Sequence, residues 1–351
     1  MHDTGTSSTV YVRYWYYQYC NITILVFLVL YSVTILVLPV LQYLQYWYFQ
    51  YCEYYNTGNT SIVNITILVI PVSRPAASYY PKQLQQSRLC MKIGYIECGR
   101  TACADDITLN CTDPTEAQIM LNMAYNYSCN EEYKLQPQKS MVIQLESKKK
   151  SRHNPIELKL KDTILPNVES VTHLGIQRSK TNKETIKNIV NENIQKTRHT
   201  AYSLMSARFH GNNGLDPSTS IHILQTYVIP TITYGLEVLI PDKKNRSRLD
   251  HFFKKLLKQI LSLPQNVADL VPYIVSGLIS IEGQIHLNIQ TFMYNIFLLP
   301  EDSREKKIAR RQLVVKDRKS NSWYREVKSL LWKYDLPEIY RLLESPYTKC
   351  Q

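Results

Sequence analysis

The sequence predicts an α+β fold preceded by an apolar, tyrosine-rich segment. Three observations carry this expectation. Between residues 90 and 178, short apolar–polar alternations are separated by Gly, Pro and Asp turns, as in strands. From Asn182 onward the apolar residues recur at helical spacing. Before Tyr80 only Asp3, Arg13, Glu53 and Arg74 carry charge. The expected organisation is a leader at 1–80, a mixed strand–helix region at 90–178, a helical region at 181–300 and a basic helical tail at 301–351.

The chain has 351 residues, with 41 Lys+Arg against 29 Asp+Glu and a net charge of +12. That excess lies after the leader. It favours a polyanionic partner, with nucleic acid first; the alternative is a soluble protein with solvated lysines. The 8 cysteines form no C-x-x-C pair and no zinc-ligand spacing, so reduced thiols are expected.

In the leader, Ile22 to Leu38 is apolar apart from Thr23, Ser32 and Thr34, and Pro39-Val40-Leu41 extends it. This approaches the ~20 residues that cross a bilayer. Tyr and Trp crowd both flanks, as in interfacial belts. Residues 22–41 are therefore a candidate single membrane span, with the basic remainder on the cytosolic side. Repetition gives a competing reading. YWYYQYC at Tyr14–Cys20 returns as YWYFQYC at Tyr46–Cys52, and NITILV occurs twice. Short copies like these suggest low-complexity sequence with β tendency, in a protein of the cytoplasm or nucleus.

Lys92–Glu97 is expected as one strand, Cys98-Gly99-Arg100 as a turn, and Thr101–Leu109 as a second strand broken by Ala104-Asp105-Asp106. Adjacent carboxylates repel, and a divalent cation offsets the repulsion; Mg²⁺ takes such oxygen ligands. Alone, an Asp-Asp pair more often marks an exposed turn. Asp113-Pro114-Thr115-Glu116 has the form of a capping box before a helix. Ile119, Met120, Met123, Ala124 and Tyr127 form that helix's expected stripe. Lys139 precedes a strand at Met141–Leu145, and Ile156–Leu160 alternates like another. Val171–Ile176 contains His173, Leu174 and Gly175, with Gly175 permitting a close turn. His173 reads as packed or phosphate-facing.

In the helical region, Ile186, Ile189, Val190, Ile194, Ala201, Leu204 and Met205 form one stripe. Lys183, Lys187, Lys196 and Arg198 fall largely off it. Asp216-Pro217 opens a second helix, and Arg246–Leu263 is a third. Further helices are expected near 267–276, 282–298, 303–312, 321–333 and 336–344. Lys306, Lys307, Arg310 and Arg311 form a basic cluster.

Four motifs in order resemble the palm and thumb of a reverse transcriptase of the non-LTR, LINE-type retrotransposons. Cys103-Ala104-Asp105-Asp106 resembles the [FYC]ADD box. Tyr133–Ser140 resembles the fourth palm motif, with Lys139 at its lysine. Val171–Ile176 resembles the YLGI box, and Pro230–Glu237 resembles the P-x-x-x-Y-G-x-E segment. The resemblance covers about 90–300. It implies a partial antiparallel palm sheet with a packed helix, followed by an all-α thumb.

It implies Asp105 and Asp106 as catalytic carboxylates holding Mg²⁺, and Lys139 as proton donor to the leaving group. It also implies an RNA template and a DNA primer as partners, with His173, Leu174 and Gly175 at the primer end. Lys183, Lys187, Lys196 and Arg198 would lie on the duplex phosphates. Two family features have no match here: the earlier x-x-D-x-x-x-A-F-D box and the Q-G-x-x-x-S-P turn. The expectation is a reverse transcriptase fragment with an incomplete metal cage and an open sheet edge, unable to polymerise alone. The alternatives are a non-enzymatic nucleic-acid-binding protein and a membrane-anchored protein. Oligomeric state stays open.

Overall fold

The computed structural model describes residues 65–71, 89, 91–103, 106–132, 134–145, 156–206, 214–315 and 322–344. The span candidate at 22–41 and the carboxylate of Asp105 lie outside the described residues. Among the described residues no helix is long and apolar enough to cross a membrane. All described residues fall within one compact unit, Tyr46–Gln351.

The architecture is α+β, as the sequence predicts. Its main sheet has four antiparallel strands: β1 (Ile65–Pro71), β4 (Arg100–Cys103), β5 (Asp106–Cys111) and β6 (Met141–Leu145). Their order is β4-β5-β1-β6, so β1 sits between the hairpin and the last strand. Ile65–Pro71 was expected within the apolar leader; here it is a central strand. Its Ile, Thr, Leu and Val residues suit a pleated ladder.

Lys92–Glu97 is not one strand. Gly94, at φ 64°, turns the chain between β2 (Lys92–Ile93) and β3 (Ile96–Glu97). The first strand of the Asp-Asp hairpin is therefore β4. Backbone bonds from Met91 N to Asn110 O (3.1 Å) and from Asn110 N to Gly99 O (2.6 Å) fasten this small hairpin to the end of β5.

Helix α1 (Pro114–Asn130) follows β5. Asp113 caps it, accepting from Thr115 N at 2.6 Å and Glu116 N at 3.2 Å. Those two N–H groups hold the Asp113 carboxyl below its ordinary range. Ala117, Met120, Leu121, Ala124 and Tyr127 pack on Ile107, Leu109 and Cys111 of β5. Ile119, expected in that stripe, is instead 41% exposed. The buried stripe is rotated toward Ala117 and Leu121, which share its i, i+3, i+4 rows.

The free side of β6 is partly covered. Val142 N donates to Pro166 O (3.0 Å), and Val168 N donates to Val142 O (2.9 Å). The open edge expected from sequence is closed there, which lowers its capacity to pair with another chain. Only Lys159–Leu160 of the strand expected at 156–160 forms a ladder, as β7, pairing with β8 (Thr163–Ile164). β9 (Ser170–His173) and β10 (Ile176–Ser179) form a tight hairpin. Its turn residues Leu174 and Gly175 both have positive φ, 49° and 76°.

Helix α2 (Asn182–Ser206) follows β10 directly, then α3 (Pro217–Ile223), capped by Asp216. A π turn at Leu224–Val228 leads into α4 (Ile229–Thr233). Pro230 explains the wider turn, since proline lacks an N–H and crowds the preceding turn. The remaining helices are α5 (Lys243–Ile260), α6 (Val271–Ser276), α7 (Ile281–Phe297), α8 (Arg304–Val315), α9 (Trp323–Lys333) and α10 (Ile339–Glu344). Helices expected from 267 and 336 start later. Pro272 occupies the first turn of α6, and Pro337 disfavours helix at Leu336.

Two lysines are fixtures of the fold. The Lys258 ammonium donates to Gln265 O (3.1 Å) and Val267 O (2.7 Å) and pairs with Asp269 at 3.2 Å. The Lys306 ammonium donates to Leu299 O (3.1 Å) and pairs with Glu301 at 2.8 Å. Both are nearly buried.

Candidate functional site at the hairpin tip

Register places Asp106. Cys103 pairs with Asp106, so Asp106 opens β5 at the turn end of the β4–β5 hairpin, and residues 104 and 105 lie outside the described residues. Asp106 is half-buried and opposes Pro71, the last residue of β1. Strand alternation sends Ile107, Leu109 and Cys111 toward α1, and Asp106, Thr108 and Asn110 to the opposite face.

Lys139 lies at the same end of the sheet. It closes a 3₁₀ turn, Pro137–Lys139, two residues before Met141. Met141 pairs with Val69, which sets the exposed Lys139 alongside the end of β1. One strand separates it from Asp106, about 10 Å between backbones at the usual ladder spacing. The fold thus gathers Asp106 and Lys139 at one end of the sheet.

His173 lies within the interior on the face away from α1. It is 2% exposed, and its Nε2 is 3.2 Å from Thr108 Oγ1. Burial, then the charge of Arg178, holds its pKa down to about 4. A neutral, enclosed imidazole matches the packed role, and the structure gives it no face toward a phosphate. Leu174 and Gly175 form the turn beyond it. The Tyr234 hydroxyl donates to Leu174 O at 2.8 Å. Tyr234 belongs to the P-x-x-x-Y-G-x-E segment, so two motifs distant in sequence meet here.

That segment is a junction. Asn193 Nδ2 donates to Ile232 O (3.2 Å) and Tyr234 O (2.8 Å), anchoring α2. Gly235, at φ 73°, leaves room for Ile176 and Ile189. Trp323 Nε1 donates to Glu237 O at 2.9 Å, joining α9 to the same segment.

Lys183, Lys187, Lys196 and Arg198 are exposed along α2. Lys183 and Lys187 stand one turn apart near its start. Lys196 pairs with Glu192 at 3.1 Å, and Arg198 covers the Phe252 ring at 5.6 Å. These two cations therefore already have local partners.

Asp105 and Asp106 are adjacent in sequence, and the position opposite Asp106 is a proline. No Asp or Glu occurs between Glu53 and Glu97. Among the described residues no group of three His, Cys, Asp or Glu side chains could hold a metal ion.

Sequence reasoning missed Asn193 and the Thr108–His173 contact, and gave Tyr234 no partner. For Asn193 a signal existed: a polar residue at a core position of the apolar stripe, four beyond Ile189. For Thr108 there was none, because its partner is 65 residues away. No protein-family model matches the chain, and no curated protein matches it.

Proposed function

We propose that the chain is part of an RNA-directed DNA polymerase of the non-LTR retrotransposon type, with β1–β10 as its palm and α2–α7 as its thumb. The observation that carries this reading is the register of the sheet. Asp106 opens the second strand of a hairpin, a third strand ends opposite it, and Lys139 stands just beyond that strand's end. A polymerase places carboxylates and a proton donor at one edge of an antiparallel sheet, with a helix behind it.

In this reading Asp105 and Asp106 are catalytic carboxylates, and Lys139 supplies the proton to the leaving group. The partners are an RNA template and a DNA primer, with Lys183 and Lys187 on backbone phosphates. Mg²⁺ would be held weakly, because a third carboxylate is lacking where β1 ends. The chain alone binds primed template but does not extend it.

Primer extension on a DNA-primed RNA, beside gel-shift binding across a salt series, tests both halves. Binding with a steep salt dependence and no extension supports the reading. Extension abolished by Asp105→Asn overturns the expected inactivity. Absence of binding overturns the polymerase class itself. A non-enzymatic nucleic-acid-binding role is the second reading, favoured by the exposure of Lys183 and Lys187 on α2.

A further inference from the structure

A cleft of about 540 Å³ opens between α8, α9 and α10, far along the chain from the hairpin. That volume lies within the ~300–1,000 Å³ typical of ligand sites. Its floor is apolar, formed by Leu313, Leu331 and Ile339. Along its rim runs one face of α9. Arg325, Lys328 and Trp332 recur at i, i+3 and i+7, and all three are exposed. They span about 10 Å of helix.

Trp332 is 87% exposed, although the same helix buries Trp323 and Tyr324 almost completely. Across the cleft stands Tyr340, its hydroxyl held by Leu313 O at 2.7 Å. The Lys328 ammonium lies 5.3 Å from the centre of the Tyr340 ring. Two aromatic side chains and two cations thus line one channel, with Glu338 the one carboxylate among the described lining residues.

The geometry points to a second nucleic-acid site here, one that takes single strands: bases stack on Trp332 and Tyr340, while Lys328 and Arg325 meet the phosphates. Stacking platforms beside cations suit single strands because every base has a π face, whereas a duplex hides its faces. An apolar peptide would offer no anion to Lys328. The site needs neither Asp105 nor Asp106, so it stands or falls separately from the polymerase reading.

The test is fluorescence-anisotropy binding of labelled oligothymidine to the full chain and three variants. Trp332→Ala weakens binding about 5- to 150-fold, the range for losing one stacked base, and Trp332→Phe restores most of it. Lys328→Ala lowers the salt slope by about 0.7, the single-strand value for one phosphate contact. Trp332→Ala binding like the parent chain overturns the site. Equal loss in Trp332→Phe and Trp332→Ala overturns the stacking role. An oligomer that dissociates on Trp332→Ala, with oligothymidine affinity unchanged, assigns the cleft to a second copy of the chain and likewise overturns the proposal.

Discussion

Gly235→Ala should destabilise the protein well beyond the ordinary cost of adding a methyl group. Gly235 has φ 73°, and a Cβ built there meets Ile176 Cδ1 at 2.5 Å and Ile189 Cδ1 at 2.8 Å. Two costs add. Placing an L-residue in the left-handed region costs roughly 1–2 kcal/mol. Overpacking costs about 1–3 kcal/mol, because Ile176 and Ile189 are buried and cannot swing aside. Gly277 is the matched control: its φ is 67°, and nothing lies within 4 Å of its added Cβ. Gly277→Ala therefore carries the backbone cost alone.

The difference between the variants, about 1–3 kcal/mol, isolates the packing of β10 and α2 against the 230–237 segment. Urea unfolding followed by circular dichroism measures it. With a slope of about 3 kcal/mol per M, Gly235→Ala should melt roughly 0.3–1 M below Gly277→Ala, with slopes unchanged. Coincident midpoints would refute the junction described here.

Tyr234→Phe removes the hydroxyl that meets Leu174 O and should cost about 0.5–1.5 kcal/mol in the same assay. His173 gives a pH dependence. Its folded pKa of about 4 lies below the unfolded value of about 6.5, so the fold prefers the neutral ring. That contribution is complete above pH 6.5, shrinks as pH falls, and is gone below about 4. Its upper size is about 3 kcal/mol. Urea midpoints of His173→Gln should be flatter across that window; an unchanged pH profile would show that the imidazole is not buried. Lys183→Ala and Lys187→Ala should each reduce the salt slope for duplex binding by about one and affect all sequences alike.

The parts legible in the sequence were those written in local chemistry. Asp113 before Pro114 announced the start of α1 and Asp216 before Pro217 that of α3; the apolar spacing of Leu249, Phe253, Leu256 and Ile260 marked the body of α5, which starts at Lys243 rather than at the expected Arg246. What failed depended on partners. Gly94 was read as part of a strand because both flanks are apolar, yet its positive φ makes it the turn. Ile65–Pro71 looked like one more copy of an apolar repeat. Its place between β5 and β6 follows from pairing across a long separation, which no local pattern encodes. The burial of Lys258 and Lys306 was not legible either, because sequence does not reveal the carbonyls that gather around an ammonium.

At the end of β1, the position opposite Asp106 carries Pro71 rather than a carboxylate, which leaves a metal at this end of the sheet short of a ligand in the proposed reading. Opposed residues of an antiparallel pair hold their Cβ atoms about 4.5–5.5 Å apart, so an acid at position 71 would stand beside Asp106. Electron paramagnetic resonance titration of Mn²⁺ into the parent chain, Pro71→Asp, and Pro71→Asp combined with Asp106→Asn tests this directly. The account predicts weak binding by the parent, at least tenfold tighter binding by Pro71→Asp, and loss of that gain in the double variant. Tight binding by the parent chain, unchanged by Pro71→Asp, would contradict it.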